Sequence, residues 1–166
     1  IHQQLGVVLH KQDRPAAALA RFRRAVEIQP DSIIQICNVG IALRDLGRFD
    51  EAAQQFEQAC RLNPDNAKNH SRWGLALLKG MRPAEAITLF QRALKLEPGH
   101  AEAALSLALC YLAIGDFEQG WNAYEARFLH KDSISDPFPE KRWKGELIEG
   151  TLVVGAEQGI GDMIQF

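Results

Sequence analysis

Residues 38–64 read NVGIALRDLGRFDEAAQQFEQACRLNP, a stretch that predicts one helix–turn–helix unit. Near copies of this stretch lie on either side of it, at residues 5–30 and 73–98. Five residue types recur at a spacing of 34 residues in the three copies: Gly6, Gly40 and Gly74; Ala18, Ala52 and Ala86; Phe22, Phe56 and Phe90; Ala25, Ala59 and Ala93; Pro30, Pro64 and Pro98. Self-similarity at a fixed period of this length indicates a repeat architecture.

Each copy is predicted to contain two short helices. The segments QDRP, GRFD and GMRP combine Gly, Pro or Asp with polar residues, which end the first helix and start the second. The pattern predicts helices over about 32–46 and 49–62 in the second copy, and about 66–80 and 83–96 in the third. Recurring small residues let the two helices approach closely, and we expect the phenylalanines to fill the space between one pair and the next. Pairs of this kind stack because each exposes an apolar face that only a neighbour covers.

The recurring positions resemble the pattern of the tetratricopeptide repeat (TPR) family over residues 1–129. The resemblance implies an all-α fold, a right-handed superhelical solenoid of antiparallel helix pairs. The repeats are residues 1–31, 32–65, 66–99 and 100–129. The fourth repeat is degenerate, since Ala108 replaces the glycine and Tyr124 replaces the phenylalanine. It also carries a bulky aromatic set, Trp121, Tyr124 and Phe128, which predicts docking on something other than another repeat.

Composition narrows the class of protein. The chain has 46% hydrophobic and 24% charged residues, as soluble globular proteins do. A net charge of −2 gives no reason to expect nucleic acid as a partner, and no apolar run approaches the ~20 residues of a membrane span. We therefore expect a cytoplasmic protein. Because Ile1 already lies in a helical pattern and no initiator Met is present, we also expect an excerpt of a longer protein.

The cysteines and histidines give no sign of a metal site. Cys37, Cys60 and Cys110 lie in predicted helices without any ligand spacing, and we interpret them as small packing residues in a reducing compartment. The five histidines are scattered, so no metal site is predicted.

The first helix of each pair is expected to line the concave side of the solenoid, where Asn38, Lys68 and Arg72 would lie on successive helices. Lys68 and Arg72 are one helical turn apart, so both would reach into the groove. Their spacing resembles the carboxylate clamp of chaperone-binding TPR domains, in which Asn, Lys and Arg hold the C-terminal carboxylate of a peptide. The clamp's first-repeat Lys and Asn fall on Gln3 and Val7 here, and solvated surface charge is the alternative interpretation.

Other inward-facing positions give the groove a mixed apolar and basic lining. Arg44 and Lys79 are its further candidate basic residues. Such a lining suits an extended or helical peptide that carries acidic residues. We interpret Leu75, Leu105 and Leu109 as core between repeats rather than as groove lining.

The pattern changes after the repeats. Residues 130–150 are interpreted as an ordered connector, and residues 151–154, TLVV, predict a buried strand. A glycine-rich turn with Gly159 and Gly161 follows and leads into a helix, which is the opening of a Rossmann-like α/β domain. Glycines at such a turn let backbone N–H groups approach an anion. The alternative is that they only reverse the chain and that Asp162 is an ordinary helix cap.

Residues 143–166, WKGELIEGTLVVGAEQGIGDMIQF, resemble the junction in bacterial proteins that fuse TPRs to a glycosyltransferase domain of the heptosyltransferase-like family 9, with the GT-B fold. The resemblance implies that Asp162, in the Gly161-Asp162 pair, takes the place of the family's general base. The nucleotide-sugar half of that domain is not in this chain. We therefore expect the chain itself to be inactive and free of cofactor, and a longer parent to bind a nucleotide-sugar donor.

Three functions follow from these expectations. The favoured one is a protein- or peptide-binding TPR scaffold that positions a substrate or partner in a TPR-fused glycosyltransferase. A second is a glycosyltransferase fragment in which the repeats are structural only. A third is end-to-end self-association, because both ends of the solenoid look unfinished.

Overall fold

A computed structural model describes residues 1–124, which form a row of eight helices. These are α1 His2–Lys11, α2 Pro15–Ile28, α3 Ile33–Asp45, α4 Phe49–Leu62, α5 Ala67–Lys79, α6 Pro83–Leu96, α7 Ala101–Ala113 and α8 Phe117–Tyr124. Each helix packs mainly on the helices before and after it, and α5 also contacts α7. Such nearest-neighbour packing is that of a solenoid, so the predicted all-α solenoid is confirmed. The predicted C-terminal strand, turn and helix lie outside the described residues.

The helix limits predicted for the second and third pairs agree closely with the observed ones. The turn inside each pair also repeats, because one residue per pair has a positive φ between 54° and 84°. These residues are Asp13, Gly47, Met81 and Gly115. The next residue's N–H then donates to a carbonyl five positions earlier, as in Arg48 N to Leu43 O at 2.9 Å. This left-handed cap ends the first helix and reverses the chain.

The interior of each of the first three pairs is built on a glycine and a phenylalanine. A Cβ atom on Gly40 would lie 2.8 Å from ring atoms of Phe56, and one on Gly74 would lie 2.9 Å from Phe90. Phe56 and Phe90 are fully buried. Each ring therefore packs on the glycine of its own pair.

The fourth pair is built differently. Its second helix, α8, places Gly120 against Leu112 of α7 instead of using a phenylalanine on a glycine. The rings of Trp121 and Tyr124 meet edge to face with centroids 5.8 Å apart. Trp121 is exposed, and Phe128 of the predicted aromatic set lies outside the described residues. Within residues 1–124 no helix is both long enough and apolar enough to span a membrane.

Candidate functional site: the α3–α5 surface

Helix α5 carries a set of basic side chains that form no ion pair with a carboxylate of residues 1–124. Its sequence contains Lys68, Arg72 and Lys79 and no acidic residue. Lys68 and Lys79 are exposed, and Arg72 is half-buried. In the part of the chain that the structure describes, none of the three takes part in an ion pair, whereas Arg48 and Arg82, which immediately precede the second helices, do. Helix α5 is therefore a concentrated source of unneutralised positive charge.

Helix α3 supplies Asn38 and Arg44, and the two differ in availability. Asn38 is half-buried. Arg44 donates from Nε and Nη2 to Oδ1 of Asp45 at 3.2 and 3.1 Å, and Oδ2 of Asp45 lies 2.6 Å from Nε2 of His10. Burial raises the pKa of the Asp45 carboxyl, but the hydrogen bonds from His10 and Arg44 outweigh burial and leave this pKa below its usual range. The charge of Arg44 is therefore already matched.

A buried polar contact joins α3 to α5. The Cys37 thiol donates to Oδ1 of Asn69 at 3.4 Å, and both side chains are buried, Asn69 to 2% exposure. Burial raises the pKa of the Cys37 thiol, and the Arg72 guanidinium, within hydrogen-bonding reach of the sulfur, opposes part of that rise. The Cys37–Asn69 hydrogen bond therefore links α3 to α5 in the interior of the solenoid.

Sequence reasoning missed Asn69. Among the described residues its Nδ2 has no hydrogen-bond partner, so the amide is only partly satisfied. One signal could have identified it, because Asn69 lies on the same helical stripe as Trp73 and Leu77, both of which belong to or pack on the core. A polar residue on an apolar stripe indicates a buried polar contact.

The apolar residues predicted to be core between repeats fall into two groups. Leu75 and Leu105 are half-buried, in line with that interpretation. Leu109 is 42% exposed, so its assignment to the core was wrong. The chain offers the remaining clamp positions only uncharged side chains, a half-buried Gln3 and an exposed Val7.

The other cysteines serve packing, as predicted. Cys60 and Cys110 are buried free thiols. Burial, reinforced by neighbouring Cys37 and Glu57, raises the pKa of Cys60 to about 12, and burial raises that of Cys110 to about 11. Within residues 1–124 no three His, Cys, Asp or Glu side chains are grouped as a metal site would require. Gly159, Gly161 and Asp162 lie outside the described residues.

Stacked two-helix units with a glycine on the first helix and a phenylalanine on the second define the class of tetratricopeptide repeat solenoids. Three family models place such repeats in this chain. Two models described as tetratricopeptide repeat match residues 1–32 and 71–135, and one described as TPR repeat matches residues 40–80. The chain carries tetratricopeptide repeats, and its described part is a TPR solenoid.

A curated relative is Protein FlbA of Caulobacter vibrioides, which is 40% identical over 62 residues. The match covers 36% of this chain and 10% of FlbA, so the chain spans about a tenth of the length of that relative. A solved MamA double mutant superposes with a TM-score of 0.71 at 23% identity, covering 77% of this chain and 72% of that one. At that identity the likeness shows the fold alone.

Two further similar structures are of TPR proteins with a bound peptide or a peptide-binding site. The first TPR of Spaghetti (RPAP3), bound to the HSP90 peptide SRMEEVD, has a TM-score of 0.66 and 25% identity, and the match covers 69% of this chain and 90% of that chain. YrrB, described as a TPR protein with an unusual peptide-binding site, has a TM-score of 0.64 and 22% identity, with 75% and 64% covered. Both share the solenoid fold described above.

Proposed function

We propose that the chain is a protein-binding scaffold whose α3–α5 surface takes an acidic peptide segment. The observation that carries the proposal is the unneutralised positive charge on α5, where Lys68, Arg72 and Lys79 have no carboxylate partner in residues 1–124. Basic side chains on one helix attract carboxylates, and charge-assisted hydrogen bonds are the strong ones.

Arg72 is the half-buried cation of the three. A partly buried side chain has less conformational entropy to lose on binding, so each hydrogen bond that it forms contributes more to affinity. Lys68 stands one turn earlier on α5, and Asn38 follows Cys37 on α3. A peptide carboxylate placed over Arg72 would therefore have a second cation and an amide within reach.

The solved Spaghetti domain supports the type of ligand. Its peptide, SRMEEVD, carries two glutamates and ends in an aspartate. We transfer to this chain the class of ligand, an acidic peptide end, and not the identity of the partner. Because Gln3 and Val7 offer no charge in the first repeat, binding here should depend mainly on α5. We include in this proposal the cytoplasmic location that the composition predicts.

The test is fluorescence anisotropy with labelled SRMEEVD as the probe, at low and at physiological salt. Lys68→Ala should weaken binding about tenfold, since a hydrogen bond to a charged group is lost. Amidation of the peptide C-terminus should weaken it similarly, and added salt should weaken it further.

Lys95→Ala is the matched control. Lys95 is also exposed and free of ion pairs in residues 1–124, but it lies in the last turn of α6. Its removal should leave the dissociation constant unchanged. Equal binding by the wild type and Lys68→Ala, together with equal binding of free and amidated peptide, would end the proposal. It would favour the alternative in which the repeats are structural only.

We also propose that residues 151–166 begin a glycosyltransferase domain, in which Asp162 is the general base and Gly159 and Gly161 shape the substrate loop. The Gly161-Asp162 pair after a predicted strand favours this. The chain alone should show no sugar transfer. In a longer protein that contains this segment, Asp162→Asn should slow transfer by about 100-fold or more, and an unchanged rate would remove Asp162 from that role.

A further inference from the structure

One position of the first helix changes its chemical type from pair to pair. It is the second residue of α3, α5 and α7, and it is occupied by Ile34, Lys68 and Glu102 in turn. These residues are 34 positions apart, and successive pairs stack in the same way. Their side chains therefore lie in a row along one side of the solenoid, which we call the variable row.

All three side chains of the variable row are available to a ligand. Ile34 is 64% exposed, although α3 has a helix pair packed on either side of its own pair. The exposure of Ile34 therefore does not come from an end of the chain. Lys68 and Glu102 are also exposed, and neither takes part in an ion pair within residues 1–124.

The variable row presents an apolar side chain, a cation and an acid in that order. Ile34 favours contact with an aliphatic side chain, because both then lose exposed apolar surface. Lys68 attracts a carboxylate, whereas Glu102 repels a carboxylate and attracts a cation. A ligand that is acidic throughout would fit α5 but not α7, so the row can distinguish one acidic peptide from another.

The spacing of the variable row fits one peptide conformation. Packed helices lie about 8–10 Å apart, and we take this spacing for the first helices because a hydrogen bond joins Cys37 to Asn69 and α5 contacts α7. A polyproline II helix advances about 9 Å in its three-residue turn, so every third side chain points the same way. In a β-strand, side chains three residues apart point to opposite faces. A polyproline II segment can therefore place one side chain on each helix.

We propose that the variable row binds a polyproline II segment that carries an aliphatic, an acidic and a basic residue at intervals of three. These residues lie over Ile34, Lys68 and Glu102 respectively. The inference rests on the proposed function, because the acidic residue is the one that α5 attracts. It adds an aliphatic residue on the α3 side of the acid and a cation on the α7 side, and it requires no free peptide C-terminus.

The experiment is fluorescence anisotropy on the full 166-residue chain with three labelled, end-blocked peptides of one composition. PLPPEPPRP has its leucine, glutamate and arginine three residues apart. PLPEPPPRP moves the glutamate by one residue, and PLPPRPPEP exchanges the two charges. PLPPEPPRP should bind about threefold more tightly than PLPEPPPRP, because the glutamate then reaches Lys68. It should bind about tenfold more tightly than PLPPRPPEP, because that peptide turns two attractions into two repulsions.

A charge exchange in the protein tests the assignment of residues. The double variant Lys68→Glu with Glu102→Lys should reverse the preference between PLPPEPPRP and PLPPRPPEP. The matched control is Lys95→Glu with Glu97→Lys, which exchanges two exposed charges at the end of α6. Neither control residue takes part in an ion pair within residues 1–124. The control should keep the preference of the wild type.

The apolar contact is tested separately. Ile34→Ser should weaken binding of PLPPEPPRP about fivefold, because the leucine then loses its apolar partner. Ile114→Ser is the control, since Ile114 is 47% exposed at the end of α7 and lies outside the variable row. It should leave the dissociation constant unchanged. Circular dichroism verifies that each variant is folded.

Two results would overturn the inference. One is equal affinity of the wild type for PLPPEPPRP and PLPPRPPEP, and the other is a preference that the exchange of Lys68 and Glu102 leaves unchanged. SRMEEVD is measured in the same assay to separate this inference from the proposed function. If SRMEEVD binds through Lys68 in either case, the proposed function stands and only the inference about the variable row fails. If neither SRMEEVD nor PLPPEPPRP binds, both fail.

Discussion

The interior of a helix pair and the outer surface of α5 differ in how they follow the 34-residue period. In the interior the same glycine and phenylalanine return in the first three pairs and pack in the same way. On the surface, the register of Lys68 holds Ile34 in α3 and Glu102 in α7, all three exposed. Positions that repeat therefore determine the fold, and positions that change between repeats determine which partner a surface can accept.

The largest effect should come from removing a repeated interior residue. Phe56→Ala should lower the free energy of unfolding by about 4 kcal/mol, because a fully buried ring is replaced by a cavity beside Gly40. Urea unfolding followed by circular dichroism measures this loss. Leu62→Ala, on the same helix but at a 42% exposed position, should lose less than about 1 kcal/mol. Similar losses for the two variants would show that the buried Phe56 contributes no more to stability than the exposed Leu62.

A second change tests the contact between the glycine and the ring directly. Gly40→Ala should lower the free energy of unfolding by about 1–2 kcal/mol, because the new Cβ would lie 2.8 Å from ring atoms of Phe56 and overpack the pair. In the Phe56→Ala background the same change should instead stabilise the protein by up to about 1 kcal/mol, because alanine is the better helix former and the ring is gone.

A double-mutant cycle on these two residues measures that change of sign. Gly99→Ala is the control, since a Cβ on Gly99 would meet nothing within 4 Å. A Gly40→Ala effect of the same sign in both backgrounds would show that the requirement for glycine at position 40 does not come from the Phe56 ring.

The sequence predicted the interior well because the period and the breaks are local signals. Segments such as GRFD placed the limits of α3 and α4 almost to the residue. Contacts across pairs were harder, because periodicity shows which stripe of a helix is buried but not which neighbour it meets. The Cys37–Asn69 hydrogen bond joins residues that lie 32 positions apart, and no local pattern predicts it.

The candidate binding surface was predictable in residue type but not in electrostatic state. Lys68, Arg72 and Arg44 are visible as basic residues on first helices. Only the structure shows that Arg44 is matched by Asp45, which His10 of the preceding pair also contacts, while the α5 cations have no such partner among the described residues. Neutralisation depends on distances between pairs, and these follow from the stacking rather than from the sequence pattern.

The smallest predicted effect concerns the turn inside the third pair, where the residue with positive φ is not a glycine. Met81 has a φ of 61° and is 86% exposed, whereas Gly47 and Gly115 hold the same register in the second and fourth pairs. A left-handed conformation costs a side chain with a Cβ about 1–2 kcal/mol, and glycine avoids that strain but loses more entropy on folding. Met81→Gly should therefore raise the free energy of unfolding by about 0.5 kcal/mol, and the reciprocal Gly47→Ala should lower it by about 1 kcal/mol. Thermal unfolding of both variants measures these changes in stability. A loss of stability in Met81→Gly would show that contacts of the methionine side chain outweigh its backbone strain.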